Sequence, residues 1–127
     1  MMLKYLIGYA TEPGSKPTLI CHVCNDCQPG KWGAGFVLAL SKKNKAPQEA
    51  YIKWALEGSA GGYELGAIQI VPFAEDVLVA NMIAQHDTRW KGKVPPIRYD
   101  ALEQCLNSVY KHAKEQGRTV TMPRIGC

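Results

Sequence analysis

The sequence predicts an α/β sandwich built on a mixed sheet. Short apolar runs and segments with helical spacing interleave along the chain. One run, Asp76 to Ala84, is nearly all apolar at Val77, Leu78, Val79 and Ala80, the pattern of a central strand covered on both faces. A tight turn joins it to the strand before it, Leu65 to Phe73.

The elements follow in order. Leu3 to Ala10 reads as a first strand, and Thr11 to Pro17 as a loop rich in Pro, Gly and Ser. Thr18 to Cys24 reads as a second strand. The loop Asn25 to Gly33 leads to a helix from Ala34 to Lys43. Pro47 suits the first turn of another helix, which runs to Glu57 and ends at Gly58-Ser59-Ala60-Gly61-Gly62. After the two strands, Asp87 to Pro96 is a loop. Asp100 and Glu103 form a D-x-x-E variant of the capping box, so Asp100 is expected to cap a long helix. Leu102, Cys105, Leu106, Val109 and Ala113 recur at three and four residues as one buried stripe. Gly117 stops that helix, and Thr119 to Met122 is the last strand.

With 127 residues the chain is expected to be one domain, 1–127, large enough to bury a core. Its net charge of +4 suits an anionic ligand. The charge is too small and scattered for nucleic acid, since Lys42-Lys43-Asn44-Lys45 and Arg89-Trp90-Lys91-Gly92-Lys93 read as solvated surface. No apolar stretch reaches the ~18 residues of a membrane span. Met1 to Gly8 lacks a signal-peptide h-region, so a cytoplasmic protein with reduced cysteines is expected. Cys21, Cys24 and Cys27 have the spacing that opens an iron–sulfur motif, but Lys31 stands where the fourth cysteine belongs. Cys21 and Cys24 would also point to opposite faces of a strand. The cysteines are read as core residues, with no metal and no cofactor.

The segment Leu19 to Phe36 carries the chemistry. An apolar strand ends in the polar pair Asn25-Asp26. A loop with Gly30, Gly33 and Gly35 follows, and then a helix. Glycines let backbone N–H groups approach a phosphate, and a helix start favours an anion. Neither the Walker pattern nor the dinucleotide fingerprint fits: Asn25 and Trp32 break the first, and Leu38 breaks the second. Asn25, at the carboxyl end of a strand, offers a ribose a donor and an acceptor, or else forms a turn. His22 reads as a core histidine or an acid–base group. Trp32 shields a ligand or caps the core. Gln85, His86 and Asp87 follow the central strand toward the same kind of edge.

Six stretches together resemble a macro domain. They are Ile7-Gly8-Tyr9-Ala10-Thr11-x-Pro13, His22-x-Cys24-Asn25, Trp32-Gly33-Ala34-Gly35, Asn81-Met82-Ile83-Ala84-Gln85, Ile97-Arg98-Tyr99-Asp100-Ala101-Leu102 and Met122-Pro123-Arg124-Ile125-Gly126-Cys127. The sequence is most similar to the branch of ADP-ribose 1''-phosphate phosphatases and terminal ADP-ribose protein glycohydrolases. The resemblance implies a three-layer α/β/α sandwich that binds ADP-ribose in a cleft at the sheet's edge. It implies hydrolysis at C1'' of the distal ribose, removing a phosphate or cleaving an ADP-ribosyl ester. The alternatives are a non-catalytic ADP-ribose reader and an inactive interaction protein. Ligand-binding positions would be Gly8, Tyr9, Ala10, Asn25, Trp32, Gly33, Ala34, Gly35, Phe36, Pro123, Arg124, Ile125, Gly126 and Cys127. Catalytic positions would be Asn25, His22 and Gln85.

Three departures from the family pattern bear on these expectations. Tyr9 stands where many members have an adenine-recognising aspartate. Gln85 stands where the glycohydrolases have a catalytic lysine, and it cannot form an amine adduct. The chain stops at Cys127, short of the family's further glycines, helix and final strand. The domain is therefore expected to be C-terminally incomplete, with exposed edges at the first and last strands that favour a homo-oligomer.

Overall fold

The structure, a computed structural model, describes residues 16–33, 35–88 and 96–123. The expected strand from Leu3 to Ala10, the segment after Pro123 and the edge they would share lie outside the described residues.

Strand β1 is Thr18–Asn25, followed by helices α1 (Phe36–Lys43) and α2 (Ala46–Glu57) and a 3-10 turn, Gly58–Gly61. Strands β2 (Ile68–Ala74) and β3 (Val77–Gln85) form a hairpin. Helix α3 (Tyr99–Gln116) and strand β4 (Thr119–Thr121) complete the described chain. The four strands lie in the order β2-β3-β1-β4. β1 is parallel to β3 and to β4, and β2 is antiparallel to β3, so the sheet is mixed. β3 lies inside the sheet and is buried at all but Leu78 and Gln85, as its apolar run predicts.

Alternation along the strands sorts the core into two sides. Leu19 and Cys21 of β1, with Ala80, Met82 and Ala84 of β3, pack against Leu102, Cys105, Val109 and Ala113 of α3. On the opposite face Ile20, Val77 and Val79 pack with Leu40 of α1, and Cys24 and Ile83 pack with Tyr51, Trp54 and Ala55 of α2. The result is an α/β/α sandwich. The α3 stripe is buried as its spacing predicts, with Leu106 partly covered. Gly117 ends the helix in the left-handed region at φ 64°, and its N–H closes the last turn on Ala113 and Lys114.

Asp100 does not cap α3. The N-cap is Arg98, with no side-chain cap, and Asp100 falls within the first turn. There its charge favours the helix start through the dipole instead of through a capping bond.

Cys21 and Cys24 fall on opposite faces, in separate core clusters. Burial pushes the Cys21 and Cys105 thiols up to about 11 and Cys24 higher still. These are packed, unreactive thiols. Among the described residues, no group of three or more His, Cys, Asp or Glu is placed to hold a metal ion. Nor is any helix among them long and apolar enough to cross a membrane.

A polar ladder crosses the face that carries α1 and α2. His22 and Asn81 are register partners on β1 and β3, and Asn81 and Gln69 are partners on β3 and β2. The Asn81 Oδ1 lies 2.6 Å from His22 Nε2, and its amide donates to Gln69 Oε1 and to the Pro47 carbonyl. Gln69 in turn donates to the Ala50 carbonyl, so the ladder ties three strands to α2. His22 is 2% exposed, and burial pushes its imidazole down to about 4, against the opposing pull of Asn81.

This depression has a consequence for stability. The folded value lies below the ordinary 6.5, so the unfolded chain takes up the proton first as pH falls. The contribution of His22 is complete above that value and is lost between it and about 4, by on the order of 3 kcal/mol. Urea unfolding of wild type and His22→Gln at pH 7 and pH 4.5 measures it. The stability gap between the two pH values should shrink in the variant; an unchanged gap refutes the assignment.

Candidate functional site

β1 and β3 are parallel neighbours, so their carboxyl ends open on one edge of the sheet. Asn25 pairs with Gln85 there, after an irregularity at Cys24/Asn25. The chain then continues hydrogen-bonded, Asp26 N–H donating to the Gln85 carbonyl at 2.9 Å. Ligands of open α/β sheets bind outside this end of the strands.

Asn25 is 7% exposed, and its side chain serves its own loop. Its amide donates to the Lys31 carbonyl at 2.6 Å. Its Oδ1 accepts from the N–H of Cys27 at 3.2 Å, from the N–H of Lys31 at 3.4 Å and from the Tyr51 hydroxyl at 2.7 Å. Tyr63 braces the same turn from below, its hydroxyl meeting the carbonyls of Asn25 and Cys27 at 3.0 and 2.6 Å. Burial pushes the Tyr63 phenol up to about 12 and Tyr51 further, so both remain hydroxyl groups. Gly30 completes the fit: a Cβ there would stand 2.8 Å from the Tyr51 ring. The loop therefore sits on α2 through a hydroxyl–amide knot.

Trp32 carries the loop on to α1. Its Nε1 donates to Ser41 Oγ at 2.9 Å and to the Val37 carbonyl at 3.2 Å, while its ring stands edge-on to His22 at 5.3 Å. Phe36, half-buried, lies 5.8 Å from the same imidazole. Gly33 and Gly35 have φ of 88° and 79°, and a Cβ on either would meet no atom of the described residues within 4 Å. Backbone conformation, rather than crowding, requires glycine at both places. Gly35 is the N-cap of α1, where no side chain caps the helix and no acidic residue occupies the first turn. That helix start is suited to an anion.

Beside the loop, three residues at the end of β3 turn onto Asp26. His86 Nδ1 lies 2.7 Å from Asp26 Oδ2, and the N–H of Asp87 donates to Asp26 Oδ1 at 2.9 Å. Asp87 is held at φ 61°, a left-handed conformation that Asp tolerates, and Gln85 Nε2 donates to its carbonyl at 2.8 Å. The backbone of His86 is fixed from the other side. Its N–H donates to Pro96, Arg98 N–H donates to Ala84, and Gln85 bridges Ile97 antiparallel. Cys27 reaches Asp87 Oδ1 at 3.9 Å. Partial burial pushes its thiol up, and the carboxylates of Asp87 and Asp26 add to this against the pull of Lys31. It is a thiol at neutral pH.

Of the candidate residues, the structure gathers Asn25, Trp32, Gly33, Gly35 and Phe36 around one loop, with Gln85 on the adjoining strand end. His22 lies beneath them in the core. Pro123 follows β4 and is half-buried. Gly8, Tyr9, Ala10, Ala34, Arg124, Ile125, Gly126 and Cys127 lie outside the described residues. The pairing of Asp26 with His86, and the support from Tyr51 and Tyr63, are not anticipated from sequence. The available signal was that two neighbouring parallel strands each end in a polar cluster, Asn25-Asp26 and Gln85-His86-Asp87.

No protein-family model matches the chain. It is 30% identical over 135 residues to the Danio rerio protein Chromodomain-helicase-DNA-binding protein 1-like, an alignment covering 98% of this chain. The chain spans 12% of that protein's length, so the likeness concerns one module of it. A Bacteroides thetaiotaomicron protein of unknown function superposes with a TM-score of 0.82 at 49% identity, over 94% of this chain and 75% of that one. A macrodomain protein from Streptomyces coelicolor superposes with a TM-score of 0.79 at 42% identity, over 94% of this chain and 76% of that one. Identity at that level, along most of both chains, reflects common descent as well as common architecture: this chain belongs to the macrodomain family.

Proposed function

We propose that this macrodomain binds ADP-ribose and hydrolyses a bond at C1'' of the distal ribose. The macrodomain fold implies the ligand. The observation that carries the reading is the pair Gly33 and Gly35. Both have positive φ, among the described residues no atom lies within 4 Å of a Cβ on either, and Gly35 stands at the uncapped start of α1. A diphosphate there accepts backbone N–H bonds and gains from the helix field. The distal ribose then extends toward the carboxyl ends of β1 and β3, where Asp26, Gln85 and His86 supply polar groups. Asn25 supports the ribose site by fixing the loop that carries it. Turnover does not run through a lysine adduct, since Gln85 occupies the matching place.

The test is calorimetric titration with ADP-ribose, ADP and AMP. ADP-ribose should bind about tenfold more tightly than ADP, the worth of one or two added ribose hydrogen bonds. Equal heats with all three ligands, or none, refute the proposal. Binding without turnover of any C1''-linked substrate makes the protein a reader.

A further inference from the structure

We infer, on the ADP-ribose reading above, that Ser41 and Gln48 are positioning residues of the diphosphate site. They act through Trp32, whose pinned indole sets the course of the chain into Gly33 and Gly35. Trp32 immediately precedes Gly33, which has φ 88°. A glycine does little to restrict its own direction. The approach to this stretch is therefore set by the residue before it, and Trp32 is fastened to both helices of its layer.

The fastening is a one-way chain of hydrogen bonds. An indole N–H only donates. Trp32 Nε1 donates to Ser41 Oγ at 2.9 Å and shares the proton with the Val37 carbonyl at 3.2 Å. The Ser41 oxygen is thus an acceptor, and its own proton goes to Gln48 Oε1 at 2.9 Å. Ser41 lies in the last turn of α1 and Gln48 in the first turn of α2. Gln48 fixes the hydroxyl rotor, and the hydroxyl fixes the indole. The ring is held as well. It stands edge-on to His22 at 5.3 Å and tilted to Tyr51 at 5.6 Å, and it packs against both core clusters on this face. Tyr51 also binds Asn25, so the loop is anchored at its start by the Tyr51 hydroxyl and at its end by Trp32.

This chain has a consequence for the ligand. Glycine loses more conformational freedom on ordering than any other residue. A ligand that had to order the stretch itself would lose that free energy from its affinity. Trp32 restricts the stretch already in the free protein. Its N–H is committed to Ser41 and Val37, so it positions the backbone N–H groups instead of donating to a phosphate. Loss of the Ser41–Gln48 pair should therefore weaken every ligand that uses the diphosphate stretch, by one common factor. The distal ribose lies outside its reach. A bond that served the fold alone would register in stability and leave affinity unchanged.

The experiment titrates the full chain with ADP-ribose and with ADP by calorimetry, with thermal unfolding in parallel. Ser41→Ala should weaken both ligands equally, by about three- to tenfold, the scale of one net hydrogen bond. The ratio of the two affinities should keep its wild-type value. Trp32→Phe keeps a ring on His22 and Tyr51 and removes the N–H, so it should match Ser41→Ala. The double variant should be no weaker than either single, because both remove the same bond. Ser41→Thr keeps the hydroxyl and should recover most of the loss. Gln48→Leu removes the acceptor and should weaken binding in the same sense, and Gln48→Glu should restore it. The indole N–H resonance of Trp32, assigned by its absence in Trp32→Phe, should exchange faster in Ser41→Ala and Gln48→Leu than in wild type. Wild type that binds neither ligand overturns the ADP-ribose reading and this role with it. Where wild type binds both, the role alone is overturned by unchanged affinities in Ser41→Ala, by losses that multiply in the double variant, or by Ser41→Thr as weak as Ser41→Ala. A loss confined to ADP-ribose places the effect at the distal ribose and overturns the role as well.

Discussion

Asn25→Ala is expected to lower folding stability by roughly 2–3 kcal/mol and to weaken ADP-ribose binding by more than about tenfold. The side chain is 7% exposed and both ends of its amide are in use. Removing it strips the Lys31 carbonyl of a 2.6 Å donor and the Cys27 N–H of a 3.2 Å acceptor. Both groups are only partly covered, so water replaces part of each bond and each loss sits at the lower end of the roughly 1–3 kcal/mol scale for an orphaned group. The Tyr51 hydroxyl loses its 2.7 Å contact but keeps the Asn25 carbonyl at 2.8 Å, so it adds little to the loss. Binding falls because the released loop carries Gly33 and Gly35.

Tyr51→Phe separates the two parts of this expectation. It removes the hydroxyl and leaves the Asn25–Lys31 bond in place, so about 1 kcal/mol is lost and the loop keeps its course. Urea unfolding gives the stabilities, and amide exchange at Cys27 and Lys31 reports the loop. Asn25→Ala within about 1 kcal/mol of wild type, with both amides still protected, would show that the knot is not what holds the loop.

Features written in adjacent residues were the legible ones. The α3 stripe, the stop at Gly117 and the covered strand β3 are each set by local periodicity or one conformational demand, and each appears where the sequence places it. The opposite facing of Cys21 and Cys24 follows from the pleat alone. Asp100 shows the limit of such reading. The D-x-x-E spacing is present, but α3 begins at Tyr99, and a shift of one or two residues turns a cap into a first-turn charge. Asn25 shows a different limit. A primary amide next to a glycine loop suits a ligand and suits a turn equally well, and only the position of Tyr51, in a helix 26 residues away, reveals its partner. The Asp26–His86 contact spans 60 residues. It depends on the parallel register of β1 and β3, which no local pattern encodes.

Gly35→Glu is expected to weaken ADP-ribose binding by more than about thirtyfold, while costing less in stability than Gly35→Ala does. Gly35 sits at φ 79° and ψ −124°, a region in which any L side chain is strained by about 1–3 kcal/mol. Among the described residues no atom lies within 4 Å of a Cβ there, so the described part of the fold loses no packing and meets no clash. Both variants bear the backbone strain. Glutamate differs in placing a carboxylate at the uncapped start of α1, where the helix field returns about 0.3–1 kcal/mol. That same carboxylate would occupy the position proposed for the diphosphate. It would repel the ligand and take the N–H groups the phosphates need, a loss of at least ~2 kcal/mol of binding for charge-assisted bonds. Stability and affinity therefore move in opposite order in the two variants. Thermal unfolding and titration of wild type, Gly35→Ala and Gly35→Glu read both quantities. If Gly35→Glu is folded and binds ADP-ribose as tightly as Gly35→Ala, the turn is only the lead into α1 and the diphosphate lies elsewhere.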